Sequence, residues 1–218
     1  GTGALRVAGD YLRAMHPDAA IWVSTPTWAN HKGVFGAAGL PIQAYRYFDA
    51  QQNALDEAGM LEDLSHAKSG DAVLIHACCH NPTGVDLTDD AWAKLCQLLV
   101  ERQLLPVVDF AYQGFGEGLQ PDARGLRLVT EHVGELLVCS SYSKNFGLYN
   151  ERVGALSVVA KSPAEASNVF SQVKLCIRRN YSNPPAHGAA IVTTILQRLE
   201  LREQWGAELA GMRNRING

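Results

Sequence analysis

The stretch LLVCSSYSKNFGL, residues 136–148, begins as an apolar strand and ends as a polar turn that contains Lys144. At such a turn the chain leaves the sheet, and ligands of open α/β sheets bind there. Arg152 follows the lysine by eight residues. Lysine forms Schiff bases with carbonyl groups when its neighbours lower its affinity for a proton. The stretch therefore predicts a sheet strand followed by a site for an imine-forming lysine.

Strand-like apolar runs alternate with helical patterns along most of the chain. The runs predicted as strands are residues 20–24, 42–47, 72–77, 105–109, 136–140 and 155–160. The segment 88–102 has one apolar helical face, and Thr88 is a typical helix start. This alternation predicts an α/β domain with a mainly parallel sheet. From residue 164 the pattern predicts helices only, over 164–179 and from 186 onward, interrupted by Pro184 and Pro185.

Two further segments deliver polar groups where predicted strands end. The run VVDFAY, residues 107–112, carries Asp109, and CCHNPTG, residues 78–84, is predicted as another strand that runs into a turn. Pyridoxal phosphate needs a lysine for its aldehyde, a carboxylate for its ring nitrogen, hydrogen-bond donors for its phenolate oxygen, and cationic or N–H groups for its phosphate. The sequence offers a candidate for each of these four requirements.

Four motifs together resemble the class I aminotransferases, in the branch that acts on aspartate and aromatic amino acids. They are HNPTG at 80–84, DFAYQGF at 109–115, SSYSKNFGLYNERVG at 140–154 and NYSNPPAHGA at 180–189. The resemblance implies the large cofactor-binding domain of fold-type I pyridoxal phosphate enzymes, a three-layer α/β sandwich with a mainly parallel mixed sheet. It also implies that residues 1–218 are part of that domain, with the N-terminal arm and the C-terminal small domain of the family absent.

The resemblance assigns a catalytic role to three residues. Lys144 forms the Schiff base and carries the proton between substrate and cofactor. Asp109 pairs with the pyridinium nitrogen and keeps it protonated, so that the ring accepts electrons better. Tyr112 and Asn81 donate hydrogen bonds to the phenolate oxygen. Taken singly, the lysine is typical of a solvated surface, the aspartate of a helix cap and the asparagine of a turn.

The remaining expected contacts also come from the resemblance, and a simpler explanation stands beside several of them. Trp28 covers one face of the ring, or is a core aromatic. His31 supports the carboxylate of Asp109 from behind. The phosphate is held by Arg152 together with other groups. Arg178, from a neighbouring subunit, grips the side-chain carboxylate of a substrate, although an arginine at a helix end also compensates the helix dipole. The other phosphate groups are Ser141 and the Gly1-Thr2 turn.

Two other chemistries fit parts of the sequence. Ser141 and Lys144 match the S-x-x-K pattern of penicillin-recognising serine enzymes, and Ser182 and Lys68 lie in the companion motifs. The order of these motifs along the chain is wrong for that class, and such short matches recur by chance. The residues His76, Cys78, Cys79 and His80 suggest a metal site, but neighbouring residues of one strand face opposite ways.

Composition narrows the choice of partners and compartment. Of 218 residues, 47% are hydrophobic, and 19 basic against 22 acidic side chains give a net charge of −3. This balance indicates a globular protein with no basic surface for nucleic acid. No apolar run reaches the length of a membrane span. The five cysteines have no zinc spacing and fit a reducing cytoplasm.

The function expected from the resemblance is transfer of the amino group of L-aspartate or an aromatic amino acid to 2-oxoglutarate by a homodimer. In the family, an arginine for the substrate α-carboxylate and a tyrosine from the other subunit lie outside the part of the enzyme matched here. Loss of substrate orientation slows catalysis strongly. The alternative is therefore a cofactor-domain fragment that folds and binds pyridoxal phosphate but turns over little.

Overall fold

A six-stranded mixed sheet forms the centre of the molecule, which is described over residues 1–218 by a computed structural model. The sheet order is β2-β1-β5-β6-β7-β8, and only the β7–β8 pairing is antiparallel. A two-residue ribbon, β3–β4, lies outside it. The strands are β1 Ile21–Thr25, β2 Ile42–Arg46, β3 Phe48–Asp49, β4 Ala54–Leu55, β5 Ala72–His76, β6 Leu105–Phe110, β7 Leu136–Ser141 and β8 Gly154–Val159.

Helices cover both faces of the sheet and complete three layers. Helices α3, α4 and α5 contribute to one hydrophobic core, and α1, α2 and α6 contribute to the other. None of the helices is long and apolar enough to cross a membrane. The helices are α1 Thr2–Met15, α2 Asn30–Ala37, α3 Glu57–Ser65, α4 Asp89–Glu101, α5 Arg124–His132, α6 Pro163–Asn180, α7 His187–Gln197 and α8 Leu199–Asn217, with a 3₁₀ turn at Pro121–Ala123.

The central strands β5, β6 and β7 are apolar up to their carboxyl ends because both of their faces are buried. On β6, Val107 packs in the core beneath α1 while its neighbour Val108 packs in the core beneath α4. The same alternation holds on β5 and β7. Side chains of a strand alternate between faces, so the part of a strand that is covered on both sides is a continuous apolar run in the sequence. This explains why the strand predictions agree with the structure to within one or two residues.

Two predictions of secondary structure are wrong in part. Residues 78–84 contain no strand, because β5 ends at His76 and the backbone then turns through Cys79 at φ +50°. The N–H groups of Cys79 and His80 donate to the carboxylate of Asp86 at 2.7 Å each instead of to a neighbouring strand. The helix predicted from residue 186 onward is two helices, separated at Arg198, whose φ and ψ of −100° and 117° are extended.

Helix starts follow the capping preferences that their sequences carry. The hydroxyl of Thr88 accepts a hydrogen bond from Ala91 N at 3.2 Å, and Asp89 and Asp90 occupy the first turn of α4. Ser162 caps α6 in the same way, through Glu165 N at 3.2 Å. Helix α1 differs, because it has neither a side-chain cap nor an acidic residue in its first turn. Its first backbone N–H groups are therefore free of protein acceptors.

Candidate active site

The register of three parallel strands places polar side chains next to one another at the carboxyl end of the sheet. His76 is opposite Asp109 on the neighbouring strand, and Asp109 is opposite Cys139. Ser141 lies two residues beyond Cys139, so its side chain is on the same face. This is the face covered by α1, whose N-terminus lies at the same end. A polar site therefore forms between the strand ends and the start of α1.

A cavity of about 220 Å³ occupies this position. All three predicted catalytic residues line it, together with every predicted cofactor residue except His31. His31 is fully buried and contacts Asp109 from the side away from the cavity. The lining residues are Gly1, Thr2, Leu5, Trp28, His76, Asn81, Asp109, Ala111, Tyr112, Ser141, Ser143, Lys144, Tyr149 and Arg152.

Asp109 is held as a carboxylate by its neighbours. His31 Nε2 lies 3.0 Å from Asp109 Oδ2, and the other ring nitrogen of His31 lies 2.7 Å from the hydroxyl of Thr27. An ionised carboxylate only accepts hydrogen bonds, so Nε2–H is the donor. Burial raises the pKa of Asp109, but the hydrogen bond from His31 and the positive charge at Gly1 outweigh it and hold the pKa below its usual value. Asp109 Oδ1 has no hydrogen-bond partner.

Lys144 lies in the turn that follows β7, above the aromatic ring of Tyr112. Its Nζ is 4.7 Å from the centre of that ring. Burial lowers the pKa of Lys144, Arg152 lowers it further, and the carboxylate of Asp109 opposes both. The hydrogen bond from Gly147 N to Lys144 O, 3.0 Å long, closes the turn. A larger share of the amine is consequently unprotonated near neutral pH than in a solvated lysine.

Asn81 and Tyr112 come together although they are far apart in the sequence. Asn81 Nδ2 donates to the hydroxyl of Tyr112 at 3.3 Å. Burial raises the pKa of Tyr112, so its hydroxyl is protonated at neutral pH and has a proton to donate. Trp28 lines the same cavity and meets the ring of His31 edge to face, with 5.1 Å between ring centres. One wall of the cavity is therefore aromatic.

Groups suited to an anion gather at the other end of the cavity. Ser141, Arg152 and the first residues of α1 all line it. The amino group of Gly1 donates to Ser140 O at 2.6 Å and to Cys139 O at 3.2 Å, which ties α1 to β7. Arg152 forms no ion pair with Glu151, which instead binds His187 at 2.7 Å. A guanidinium, a hydroxyl and free helix N–H groups are the donors that phosphates favour.

Arg178, unlike His31, neither lines the cavity nor contacts a residue that does. It lies in the last turn of α6, is exposed, and donates to the hydroxyl of Ser182 at 2.5 Å. The expectation for Arg178 concerned the site of a neighbouring subunit, so its distance from this cavity does not contradict it. Within the chain it acts at the helix end, where a cation is favourable.

His76 is a site residue that reasoning from the sequence missed. It lines the cavity, and neither of its ring nitrogens has a hydrogen-bond partner. Burial lowers the pKa of His76 to about 4, so the ring is neutral. The only sequence signal is a polar residue at the end of the apolar run that precedes the HNPTG motif. Ser143 and Tyr149 also line the cavity and were not predicted there.

The sequence argument against a metal site at His76, Cys78, Cys79 and His80 assumed one continuous strand, and that assumption is wrong because β5 ends at His76. The rings of His76 and His80 lie 4.4 Å apart, and His76 lies 5.2 Å from His31. Donor atoms of His31, His76 and Asp109 lie within 4.8 Å of one another. Both nitrogens of His31 are already hydrogen-bonded, so the group as it stands is a polar network behind the carboxylate.

The serine hydrolase interpretation does not fit the geometry. Ser141 ends a strand and is followed by a turn, whereas the serine of S-x-x-K opens a helix in that class. Neither Ser182 nor Lys68 lines the cavity that contains Ser141 and Lys144. The companion motifs are therefore not assembled.

Comparisons with known proteins identify the family of the chain. A sequence model described as "Aminotransferase class I and II" matches residues 1–218. The aspartate aminotransferase of Escherichia coli K12 is 54% identical over 216 residues, which are 99% of this chain and 54% of that protein. The aromatic-amino-acid aminotransferase of Pseudomonas aeruginosa is 50% identical over 216 residues, 99% of this chain and 54% of that protein.

Solved structures give the same result. The crystal structure of the aromatic-amino-acid aminotransferase from Burkholderia pseudomallei, covalently bound to pyridoxal phosphate, superposes with a TM-score of 0.97 at 49% identity. The superposition covers 99% of this chain and 54% of the chain from Burkholderia pseudomallei. The chain spans about half the length of the curated relatives it matches. On sequence and on structure, the chain belongs to the class I and II aminotransferase family.

Proposed function

We propose that this chain is the cofactor-binding large-domain part of a pyridoxal phosphate-dependent transaminase. The observation that carries the proposal is one cavity lined by both Lys144 and Asp109, with the amine partly buried and the carboxylate ionised. A reactive amine and a buried carboxylate are the two groups that this cofactor requires for its aldehyde and its ring nitrogen. The pyridoxal phosphate bound in the Burkholderia pseudomallei relative supports this choice of cofactor.

The unpaired oxygen of Asp109 tests whether the residues fit pyridoxal phosphate. Buried polar atoms without a partner are rare in folded proteins, and Asp109 Oδ1 is one of four in this chain. A protonated ring nitrogen is a donor that satisfies this oxygen and lets the negative charge remain buried. The donors at the opposite end, Ser141, Arg152 and the start of α1 with Gly1 and Thr2, suit the phosphate. The residues therefore fit the group.

Each side chain has a distinct task in the proposed reaction. When bound, pyridoxal phosphate withdraws electrons from the Cα–H bond of the amino acid attached to it. Lys144 accepts the Cα proton as a general base and returns a proton as a general acid. Asp109 keeps a proton on the ring nitrogen, and His31 keeps Asp109 ionised and oriented. Tyr112 and Asn81 donate hydrogen bonds to the phenolate oxygen, while Trp28 limits access of water to one face.

The substrates proposed for the complete protein are L-aspartate or an aromatic L-amino acid as amino donor and 2-oxoglutarate as acceptor. The names of the relatives support both donors and do not favour one. The complete protein is proposed to be a homodimer in which Arg178 of one subunit binds the substrate carboxylate at the site of the other. The exposed position of Arg178, away from its own cavity, is compatible with that role. All five cysteines are free thiols, which supports a cytoplasmic location.

The test is an absorption titration of the chain with pyridoxal phosphate across pH, followed by borohydride reduction and peptide mapping. We expect a pH-dependent band and label on Lys144. The variant Lys144→Ala should lose the label, whereas the exposed Lys161→Ala should retain it. Label scattered over surface lysines would contradict the proposed site.

The alternative, a domain that binds the cofactor with little turnover, is supported by the length comparison. The chain spans about half the length of its relatives. The resemblance implies that an arginine for the substrate α-carboxylate lies outside the matched half. Transamination of aspartate, phenylalanine and tyrosine with 2-oxoglutarate separates the two proposals. Label on Lys144 with turnover supports the active transaminase, and label without turnover supports the binding domain.

A further inference from the structure

One face of α8 presents four side chains at a spacing of four residues to the two loops that carry the site. These are Trp205, Leu209, Arg213 and Asn217, which we call the α8 row. Leu209 is the only fully buried side chain of this helix. The other three members donate hydrogen bonds to backbone carbonyls of the loops. Helix α8 therefore contacts these loops chiefly through directed contacts to their backbone.

Trp205 contacts the turn that contains Lys144. Its indole Nε1 donates to Asn145 O at 2.7 Å. Its ring stacks on Phe146, with 4.3 Å between ring centres and 16° between planes. Phe146 in turn meets Tyr142 edge to face at 5.6 Å. Both residues that follow Lys144 are thus held by one indole, one through the backbone and one through the side chain.

The lower part of the α8 row holds the loop that follows Asp109 and Tyr112. Leu209 packs so closely on Gly114 that a Cβ added there would lie 2.4 Å from its Cδ2. Arg213 donates to Gly114 O at 3.2 Å. Asn217 donates to Phe115 O at 2.9 Å and to Gly116 O at 3.1 Å. Helix α8 therefore holds both the loop that follows Asp109 and the turn that contains Lys144.

Asn145 joins the two loops directly. Its Nδ2 donates to Gln113 O at 3.2 Å, and its side chain is buried. Its own carbonyl is the acceptor used by Trp205. The position of Lys144 relative to Asp109 and Tyr112 is consequently defined by a bridge between the loops that Trp205 holds in place.

We propose that Trp205 is a positioning residue for Lys144. It keeps the turn at residues 144–147 against α8, so that the amine stays over Tyr112, partly buried and within reach of a ligand in the cavity. The proposal rests on the function proposed above, because Lys144 matters only if it reacts. Trp205 does not line the cavity.

Loss of Trp205 removes a hydrogen bond and an aromatic stack from a turn that has few other anchors. The turn itself keeps the hydrogen bond from Gly147 N to Lys144 O and the contact of Asn145 with Gln113. We expect it to move toward solvent, which hydrates the amine of Lys144. The charged and titratable groups around Lys144, namely Asp109, Arg152, Tyr112 and the Gly1 amino group, are unchanged by the substitution.

The experiment measures the reactivity of Lys144 without cofactor. Dinitrofluorobenzene labels the wild-type chain, Trp205→Phe and Trp205→Ala over a pH series. Peptide mapping then gives the midpoint, which is the pH at which the labelling rate of Lys144 is half of its maximum, and the exposed Lys32 is followed in the same samples. Trp22→Ala is the matched control, because it also removes a partly buried indole whose Nε1 donates a hydrogen bond. The acceptor is Asp71 at 2.9 Å, at the opposite end of the strands from Lys144.

The expected result is a Lys144 midpoint that moves up toward that of a solvated lysine, leaving about threefold less free amine at pH 8 in Trp205→Ala. Trp205→Phe, which keeps the stack, should shift the midpoint less, and Trp22→Ala not at all. Circular dichroism reports whether each variant folds. If Trp205→Ala does not fold, Trp205→Phe decides, and an unchanged Lys144 midpoint in the folded variant would overturn the proposal.

A second measurement uses pyridoxal phosphate and follows the rate of borohydride-fixed label on Lys144. It should fall in the order wild type, Trp205→Phe, Trp205→Ala. If even the wild-type chain takes up no label on Lys144, the proposed function fails, but the cofactor-free midpoints still decide the role of Trp205. The two failures are therefore distinguishable.

Discussion

Two buried aspartates at opposite ends of the same sheet have opposite surroundings. Asp71 precedes β5 at the amino end, and Asp109 lies near the carboxyl end of β6. Their exposures are nearly equal, 4% and 5%. Asp71 accepts hydrogen bonds from Ala20 N, Trp22 Nε1 and Lys68 N at 2.8–3.0 Å, so both of its oxygens are occupied. Asp109 has one oxygen on His31 and one with no partner.

The difference separates a structural carboxylate from the one that we propose pairs with the cofactor. Asp71 ties β1 to the turn before β5 and stabilises the fold. Asp109 keeps a buried negative charge that the folded chain only half satisfies, an arrangement that costs stability unless a ligand completes it. A larger cavity of about 450 Å³ at the amino end contains the side chains of His16, His132 and Lys161, but its lining is mostly apolar. A buried carboxylate with one oxygen that lacks a hydrogen-bond partner therefore indicates the candidate site better than the volume of a cavity does.

The largest expected effect is on cofactor affinity when the open carboxylate is removed. Asp109→Ala should weaken binding of pyridoxal phosphate at least about 100-fold, because the ring nitrogen loses a buried charge partner worth about 3 kcal/mol. Titration by absorbance measures it. Asp71→Asn is the control and should bind as wild type does. Equal affinity of Asp109→Ala and wild type would end the distinction between the two aspartates.

The next effect concerns acid stability at the carboxyl end. The unfolded chain protonates His76 below pH about 6.5, whereas the folded chain does so only below about 4. The unfolded state therefore binds more protons in this interval, and stability falls as pH drops through it, by about 3 kcal/mol in total. Urea unfolding of His76→Gln should show a flatter profile between pH 6.5 and 4. The exposed His16→Gln should not, and an unaltered slope in His76→Gln would count against a neutral His76.

A smaller loss is expected from the satisfied aspartate. Asp71→Asn replaces one acceptor oxygen with an amide that faces donors, so the free energy of unfolding should fall by about 2 kcal/mol. Urea denaturation measures it. Asp109→Asn should change stability less, since one of its oxygens has no partner to lose. The reverse ranking would show that the open oxygen is satisfied in solution.

The smallest expected effect sharpens the description of Asp71. Trp22→Phe removes one of its three donors and keeps the aromatic packing, so stability should fall by about 1 kcal/mol. Combined with Asp71→Asn, the losses should be less than additive, because the two side chains share one hydrogen bond. Full additivity, measured in a double-mutant cycle, would mean that this bond contributes nothing.

The centre of the sheet could be predicted from the sequence because β5, β6 and β7 are buried on both faces and begin as apolar runs. The break between α7 and α8 could not, since Arg198 is neither glycine nor proline and nothing in the local pattern marks an extended residue. The strand expected at residues 78–84 does not form, because Asp86, farther along the chain, accepts hydrogen bonds from the backbone N–H groups of Cys79 and His80.

Those residues of the candidate site that lie in sequence motifs could be predicted from the sequence. Lys144 and Asp109 stand in long, specific segments, and the structure brings them to one cavity. His76 stands alone in sequence, and its place beside Asp109 depends on strand register. The contrast between Asp71 and Asp109 is invisible in sequence, because their hydrogen-bond partners come from other segments.

The four-residue spacing of the α8 row also sets how the helix is able to move. A step of four residues advances about 6 Å along a helix and about 40° around it, so the row winds over roughly 18 Å from Trp205 to Asn217. Its partners, from Asn145 to Gly116, follow this winding. A slip of α8 by one turn would move Trp205, Arg213 and Asn217 away from their carbonyl acceptors and Leu209 away from Gly114. Helix α8 must therefore travel together with both loops, as one rigid piece of the sheet's carboxyl edge.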